Sequence, residues 1–328
     1  MSAIIIAVVI LALLYAFLNG INDSSSIVAT MISSRALSPR AALAMTAVAE
    51  FLGPFIFGIA VAKTIGHEVV SSDAISTHVI LAALLGAVSW NLLTGTLGLP
   101  SSSSHALIGG LIGAVSIGAG WQAIRVSGLE KILIPLFVSP VIGFGIGFIV
   151  LRIVMRLSWD ASPSINDFFK RSQILTVIAL GLSHGSNDAP KTMGMITLAL
   201  ITENYLHTFV VPTWVILASA LAIAAGTAVG GQRLIRTVGG KFYKIAPIDA
   251  FSSQLSSALV IVTASLTGGP VSATQVISSA VMGVGAGERP NKVRWKIAQD
   301  IGTAWVLTIP ATALIAALIY KLLARNLQ

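Results

Sequence analysis

The chain has no cysteine in 328 residues, which excludes disulfides, thiolate nucleophiles and cysteine-ligated metal centres and leaves the redox compartment unread. It also has little charge. Asp, Glu, Lys and Arg make up 10% of it, where a soluble domain carries about 25%. With 55% hydrophobic residues and a mean hydropathy of +0.90, so few charges cannot cover a surface in water, so the solvent must be lipid. A net charge of +8 would suit a nucleic acid, but the basic residues sit at the ends of apolar runs rather than along one stripe. No nucleic-acid motif with interleaved aromatics occurs, and that partner is excluded. Basic residues are also missing early: none precedes Arg35, so Ala3–Leu18 lacks the positive flank of a signal peptide and is expected to be a retained membrane helix.

What the chain does have is apolar runs of helical length, at about 3–18, 41–62, 74–93, 131–156, 173–182, 208–230, 248–264 and 297–320. Four other stretches, 19–34, 94–118, 181–200 and 263–285, are membrane-like but punctuated by Gly, Pro, Ser, Thr, Asn and Asp. Irregular backbone at membrane depth is tolerated only inside protein or against a watery cavity, so function is sought there. The expected fold is an all-α integral membrane protein with interrupted or re-entrant helices meeting near the bilayer midplane.

The interruptions come in pairs. Asn22-Asp23 recurs as Asn187-Asp188, 165 positions later; Pro100 and Pro270 are 170 apart, as are Gly113 and Gly283. That order at nearly one offset is the mark of an internal duplication. It divides the chain into a first membrane repeat at 1–157, a polar cytoplasmic linker at 158–172 and a second repeat at 173–328. Corresponding loops differ in charge: Arg35 and Arg40 have no basic counterpart near Glu203, whereas Arg233, Arg236, Lys241 and Lys244 face only Lys63 in the first half. Such reversal predicts that one repeat is inverted. Five crossings per half then put 158–172 and 289–296 in the cytoplasm and both termini outside, in a multi-pass protein of the cell membrane.

Each Asn-Asp pair has two readings. Asn and Asp are favoured N-caps, and Pro190 would suit a first helical turn. Against the cap, an ionised carboxylate within a membrane span is costly and functional by default. Two at equivalent places, with unwound carbonyls and the positive end of a helix dipole, would form hard-oxygen sites at Asn22, Asp23, Asn187 and Asp188 for Na⁺ or a proton.

The segments after Pro100 and Pro270 would start fresh half-helices, whose free amides cradle an anion. Ser102, Ser103, Ser104, Ser272 and Thr274 would add hydroxyls. The competing reading is that these side chains bond back to the helix or pack small. Ser183, Lys191, Thr192, Glu50 and Gln275 are secondary candidates; Lys191 could pair with Asp188 or contact the anion. An intramembrane hydrolase built from Ser104, His105, His184 and Asp188 is disfavoured, because neighbours on a helix do not face each other and the second half replaces His105 with Gln275.

At these segments the chain resembles the PiT family of inorganic phosphate transporters. Gly20-Ile21-Asn22-Asp23 is similar to the family's G-x-N-D signature, and Ser183-His184-Gly185-Ser186-Asn187-Asp188-Ala189-Pro190-Lys191 to its second copy. Pro100–His105 and Pro270–Gln275 resemble its P-x-S-[ST]-[ST]-H segments, and Trp90-Asn91 and Arg236–Gly239 extend the likeness along nearly the whole chain. The resemblance implies a transporter, not an enzyme. It would move inorganic phosphate by symport with Na⁺ or H⁺, with no organic cofactor, through rocking or sliding of one helix set against another. Another oxyanion such as sulfate is the alternative cargo. Our reading favours Na⁺, because Asn and Ser oxygens beside each Asp suit it. Oligomeric state is not readable, and a homo-oligomer is compatible. The chain departs from the family pattern at Ala273, Gln275 and Gln254.

Overall fold

The computed structural model describes residues 2–70, 75–98, 101–230 and 245–325. The expectations placed on Pro100 and on the basic loop Arg233–Lys244 fall outside them. Helices α1 (Ala3–Ser33), α2 (Pro39–Phe57), α3 (Ala60–Lys63), α4 (Thr77–Leu97), α5 (Ser103–Gly118) and α6 (Val126–Leu157) precede the middle of the chain. They are followed by α7 (Ile165–Thr202), α8 (Thr213–Val229), α9 (Pro247–Leu266), α10 (Ala273–Glu288) and α11 (Trp295–Arg325). Five of these, α1, α2, α4, α6 and the 301–325 part of α11, are long and apolar enough to cross a membrane. The protein is inside out relative to a soluble one. Ile6, Ile10 and Leu14 of α1 and Leu314, Leu318 and Leu322 of α11 face outward, whereas Asp23, Glu50, His184, Asp188 and Lys191 are buried.

Two of the four expected interruptions are real. After α4 the chain turns at Gly98 (φ +68°) and re-enters a helix at Ser103; after α9 it turns at Gly268 (φ +76°) and re-enters at Ala273. That left-handed backbone is cheap only for glycine. The resulting α5 and α10 are half-helices of 16 residues, short of the roughly 20 that span the hydrocarbon.

The other two interruptions are absent. Asn22-Asp23 lies inside the unbroken 31 residues of α1, and Asn187-Asp188 inside the 38 of α7, with Pro190 in the helix interior. Neither pair is a cap of its own helix, and neither helix unwinds at its pair. The glycines beside them serve packing. A Cβ on Gly20 would stand 2.2 Å from the Ile223 carbonyl oxygen of α8, and one on Gly226 2.0 Å from that of Phe17 in α1. Likewise Gly185 would meet Glu50 O of α2 at 2.0 Å, and Gly53 would meet Leu182 O of α7 at 2.3 Å. Backbones touch there, and each helix stays whole. Two boundaries also move. The expected 41–62 helix stops at Phe57, where Gly58 takes φ +85°, and α7 begins at Ile165, inside the stretch read as linker.

The packing pairs elements across the two halves. Helix α1 lies on α8 and α7 on α2, while α5 lies on α11 and α10 on α6. Helices α1 and α7 run antiparallel. The start of α1 (Ile5–Tyr15) shares one apolar cluster with the end of α7 (Ala189–Leu200), and its end (Ile27–Met31) shares another with Val177 and Leu180. Between the two apolar clusters lies a polar layer.

Candidate functional site

That layer forms where the two half-helix starts meet the middles of α1 and α7. Ser102 caps α5: its Oγ accepts from His105 N at 3.2 Å and lies 2.7 Å from His105 Nδ1. Ser272 holds the same extended N-cap position on α10. The starts touch, since Ser104 Oγ donates to Val271 O at 3.0 Å and Gln275 Nε2 lies 3.4 Å from His105 Nδ1. First-turn amides of both helices, which have no intrahelical acceptor, thus converge on one place.

The two aspartates face the same place. Thr274 Oγ1 donates to Asp23 Oδ1, and Ser103 Oγ donates to Asp23 Oδ2 at 3.4 Å. His184 Nε2 stands between the carboxylates, 3.0 Å from Asp188 Oδ2 and 3.5 Å from Asp23 Oδ2. Asn19 Nδ2 donates to Asp188 Oδ2 at 3.0 Å. The helices therefore exchange partners: Asn19, four residues before Asp23, reaches Asp188, and His184, four residues before Asp188, reaches Asp23. Behind them His184 Nδ1 is 2.9 Å from Glu50 Oε1, and Thr227 Oγ1 donates to Glu50 Oε2. Glu50, without a partner visible in sequence, thus has two.

Of the two roles the sequence left open, Lys191 takes the pairing with Asp188. Its ammonium donates to Asp188 Oδ1, to Ser104 Oγ at 2.6 Å and to Val271 O at 2.7 Å, tying the second aspartate to both half-helix starts. Asn187 is engaged elsewhere. Its Nδ2 donates to Ser265 Oγ and Gly269 O, each at 3.2 Å, and its Oδ1 accepts from Val271 N at 3.1 Å, so it staples the turn before α10 to α7. Asn22 is half-buried and reaches Asn91 O of α4 at 3.3 Å, apart from the aspartates. Ser183 bonds back to Ala179 O at 2.7 Å, and Thr192 Oγ1 is buried with no hydrogen-bond partner among the described residues. Ser104 and His105 do not pair as a nucleophile and base would. Instead, the His105 ring lies edge-on to Phe137 and bonds Ser102.

Two residues of this site carry no assignment to it from the sequence, Asn19 and His184. Their signal was the i−4 spacing from each aspartate, which puts them on its helix face.

The charges explain what the cluster could hold. Asp23, Glu50 and Asp188 are buried in this layer, and when ionised they bring three negative charges into it. Lys191 brings one positive charge, and His184, whose nitrogens lie 2.9–3.5 Å from three carboxylates, brings another when both nitrogens are protonated. One negative charge is left over. The ligand atoms of Asp23, His184 and Asp188 lie within 4.8 Å of one another, and Asn19 Oδ1 is buried beside them without a donor among the described residues. An unmatched carbonyl oxygen next to two carboxylates and two hydroxyls is a hard-oxygen set suited to an alkali cation.

Comparisons with known proteins bear on the family and the fold. Residues 19–316 match the family model described as "Phosphate transporter family". The "Probable low-affinity inorganic phosphate transporter" of Bacillus subtilis (strain 168) is 44% identical, over 97% of this chain and 96% of its own. A protein of the same description from Rhizobium meliloti (strain 1021) is 40% identical over the same shares. Among solved structures, one titled "The sodium-dependent phosphate transporter" shares the fold with a TM-score of 0.89. It covers 98% of this chain and 99% of its own, at 24% identity. The chain belongs to the phosphate transporter family and is a multi-pass membrane transporter, not an enzyme.

Proposed function

We propose that this protein imports inorganic phosphate by symport with a cation, and that the cation is Na⁺. The observation that carries this reading is the meeting of two half-helix starts with two buried aspartates in one layer. Phosphate binds between the starts, held by first-turn amides and the hydroxyls of Ser102, Ser103, Ser104, Ser272 and Thr274. The cation binds at Asp23 and Asp188, with Asn19 adding its free carbonyl oxygen. Asn22 and Asn187 hold the neighbouring backbone in place.

The hydrogen bonds supply a coupling mechanism. Thr274 and Ser103 hydroxyls donate to Asp23. A cation on that carboxylate competes for the same oxygens, so both hydroxyls can turn to phosphate. Each ligand then favours the other, which is what symport requires. A surface pocket lined by Thr64, Glu68, Lys131, Gly268 and Gly269 lies against the turn before α10.

The antiparallel run of α1 and α7 and the cross-half pairing of elements support two inverted repeats, 1–157 and 173–328, moving against each other. With 158–172 and 289–296 in the cytoplasm, both termini lie outside. The test is uptake of radiolabelled phosphate into proteoliposomes under an imposed Na⁺ gradient, then under a proton gradient without Na⁺. Na⁺-driven accumulation that sulfate does not displace is expected. Full concentrative uptake on the proton gradient alone would overturn Na⁺ coupling, and no phosphate uptake at all would overturn the cargo.

A further inference from the structure

The two aspartates occupy equivalent places, yet their surroundings differ by one charge. Three residues after Asp23 stands Ser26; three residues after Asp188, at the same 165-residue offset, stands Lys191. Both are buried on the aspartate's own helix face. The Lys191 ammonium has three oxygen partners drawn from three elements of structure: a carboxylate (Asp188), a hydroxyl (Ser104) and a main-chain carbonyl (Val271). Those are the kinds of oxygen that coordinate a bare alkali cation where half-helices break. The remaining atoms of Asp188 are also used, since Oδ2 accepts from Asn19 and faces His184. Asp23, by contrast, meets two hydroxyls and the same His184 Nε2 at the longer distance of 3.5 Å, with no ammonium among the described residues.

We infer that Lys191 is a tethered cation that permanently fills one of two equivalent cation positions, so that this transporter carries one coupling cation fewer per phosphate than its two aspartates would otherwise demand. This rests on the symport reading above and specifies its stoichiometry. The charge count agrees. Three carboxylates against Lys191 and a doubly donating His184 leave one negative charge, enough for one added cation. Removing the ammonium leaves two. A lysine that cannot dissociate also ties the Asp188 side to the first half-helix start in every state, so the exchangeable ion is confined to the Asp23 side.

The experiment replaces Lys191 with the residue found at the equivalent place, Lys191→Ser, and separately with Lys191→Met, which keeps most of the buried stem. In proteoliposomes, ²²Na⁺ and ³²P-phosphate uptake are measured together, with a trapped pH dye counting protons, so that every coupling cation is scored whatever its identity. The expected result is that the number of cations per phosphate rises by one in Lys191→Ser. Should the variants fail to transport, equilibrium binding to detergent-purified protein replaces flux: ²²Na⁺ bound per chain by dialysis, and protons taken up in unbuffered titration. One additional bound cation per chain is expected there. An unchanged count, by flux or by binding, would overturn the inference while leaving phosphate symport standing. A wild type that takes up no phosphate would instead overturn the functional reading itself.

Discussion

Replacing Asp23 with Asn removes one charge at nearly constant volume and leaves an oxygen that can still accept from Thr274. The ligand oxygens of Asp23 and Asp188 lie within 4.8 Å. At that separation two unit charges interact by about 3.5 kcal/mol at an effective dielectric of 20, roughly a 300-fold factor in an equilibrium constant. A cation between the carboxylates owes an attraction of that size to Asp23. The same substitution relieves a repulsion of that size in the cation-free protein. Two opposite effects are therefore expected from one change. The Na⁺ concentration that half-saturates phosphate binding should rise by roughly two orders of magnitude, or the Na⁺ dependence should vanish, with concentrative uptake lost. In Na⁺-free buffer, however, the purified variant should melt at or above the wild-type temperature. The assays are ³²P-phosphate binding across a Na⁺ series and thermal unfolding in detergent with and without Na⁺. A Na⁺ midpoint within tenfold of wild type, with uptake still driven by the gradient, would refute the charge accounting. A variant less stable than wild type in Na⁺-free buffer would show that Asp23 is a structural partner of His184 rather than a poised cation ligand.

Ser104→Ala and Thr274→Ala should each weaken phosphate binding by at least about 1 kcal/mol, roughly fivefold, the scale of a lost hydrogen bond; unchanged affinity in both would mean that these hydroxyls only pack. Gly185→Ala and Gly226→Ala place a methyl 2.0 Å from a facing carbonyl oxygen, and should destabilise by about 1–3 kcal/mol. Gly145→Ala, where a Cβ meets nothing within 4 Å, should be neutral or stabilising by up to about 1 kcal/mol. Indistinguishable melting of the three would refute the account of close backbone approach. Because the chain has no cysteine, single cysteines report topology directly. An impermeant maleimide should reach Asp160→Cys and Lys296→Cys from one side of the membrane and Asn204→Cys from the other, and labelling of 160 and 204 from the same side would refute the inverted arrangement.

The interruptions show where reading the chain succeeds and where it stops. Gly98 and Gly268 are followed by Pro within two residues and by runs of Ser and Thr, and there the backbone does break. Gly20 and Gly185 look alike in sequence but sit in unbroken helices, because a glycine that lets a backbone turn and one that lets two backbones touch have the same local signature. Helix α7 was also hard to read at full length. Its middle carries His184, Asn187, Asp188 and Lys191, which lowers its hydropathy below that of a span, although these side chains face protein and not lipid.

By itself the sequence determined residence in a membrane, both half-helix starts and the residue types gathered in the polar layer, since hydropathy, motif spacing and capping chemistry are properties of neighbours along the chain. Only the tertiary structure decided that the hydroxyl segments and the aspartates lie in one layer, that Lys191 joins Asp188 to Ser104, that Asn19 reaches the aspartate of the other helix, and that His184 stands between the two aspartates. The contacts of Asn19 with Asp188, His184 with Asp23 and Lys191 with Ser104 join residues more than 80 positions apart. They depend on the antiparallel crossing of α1 and α7 and on the depth at which the half-helices meet them, and no local pattern encodes either.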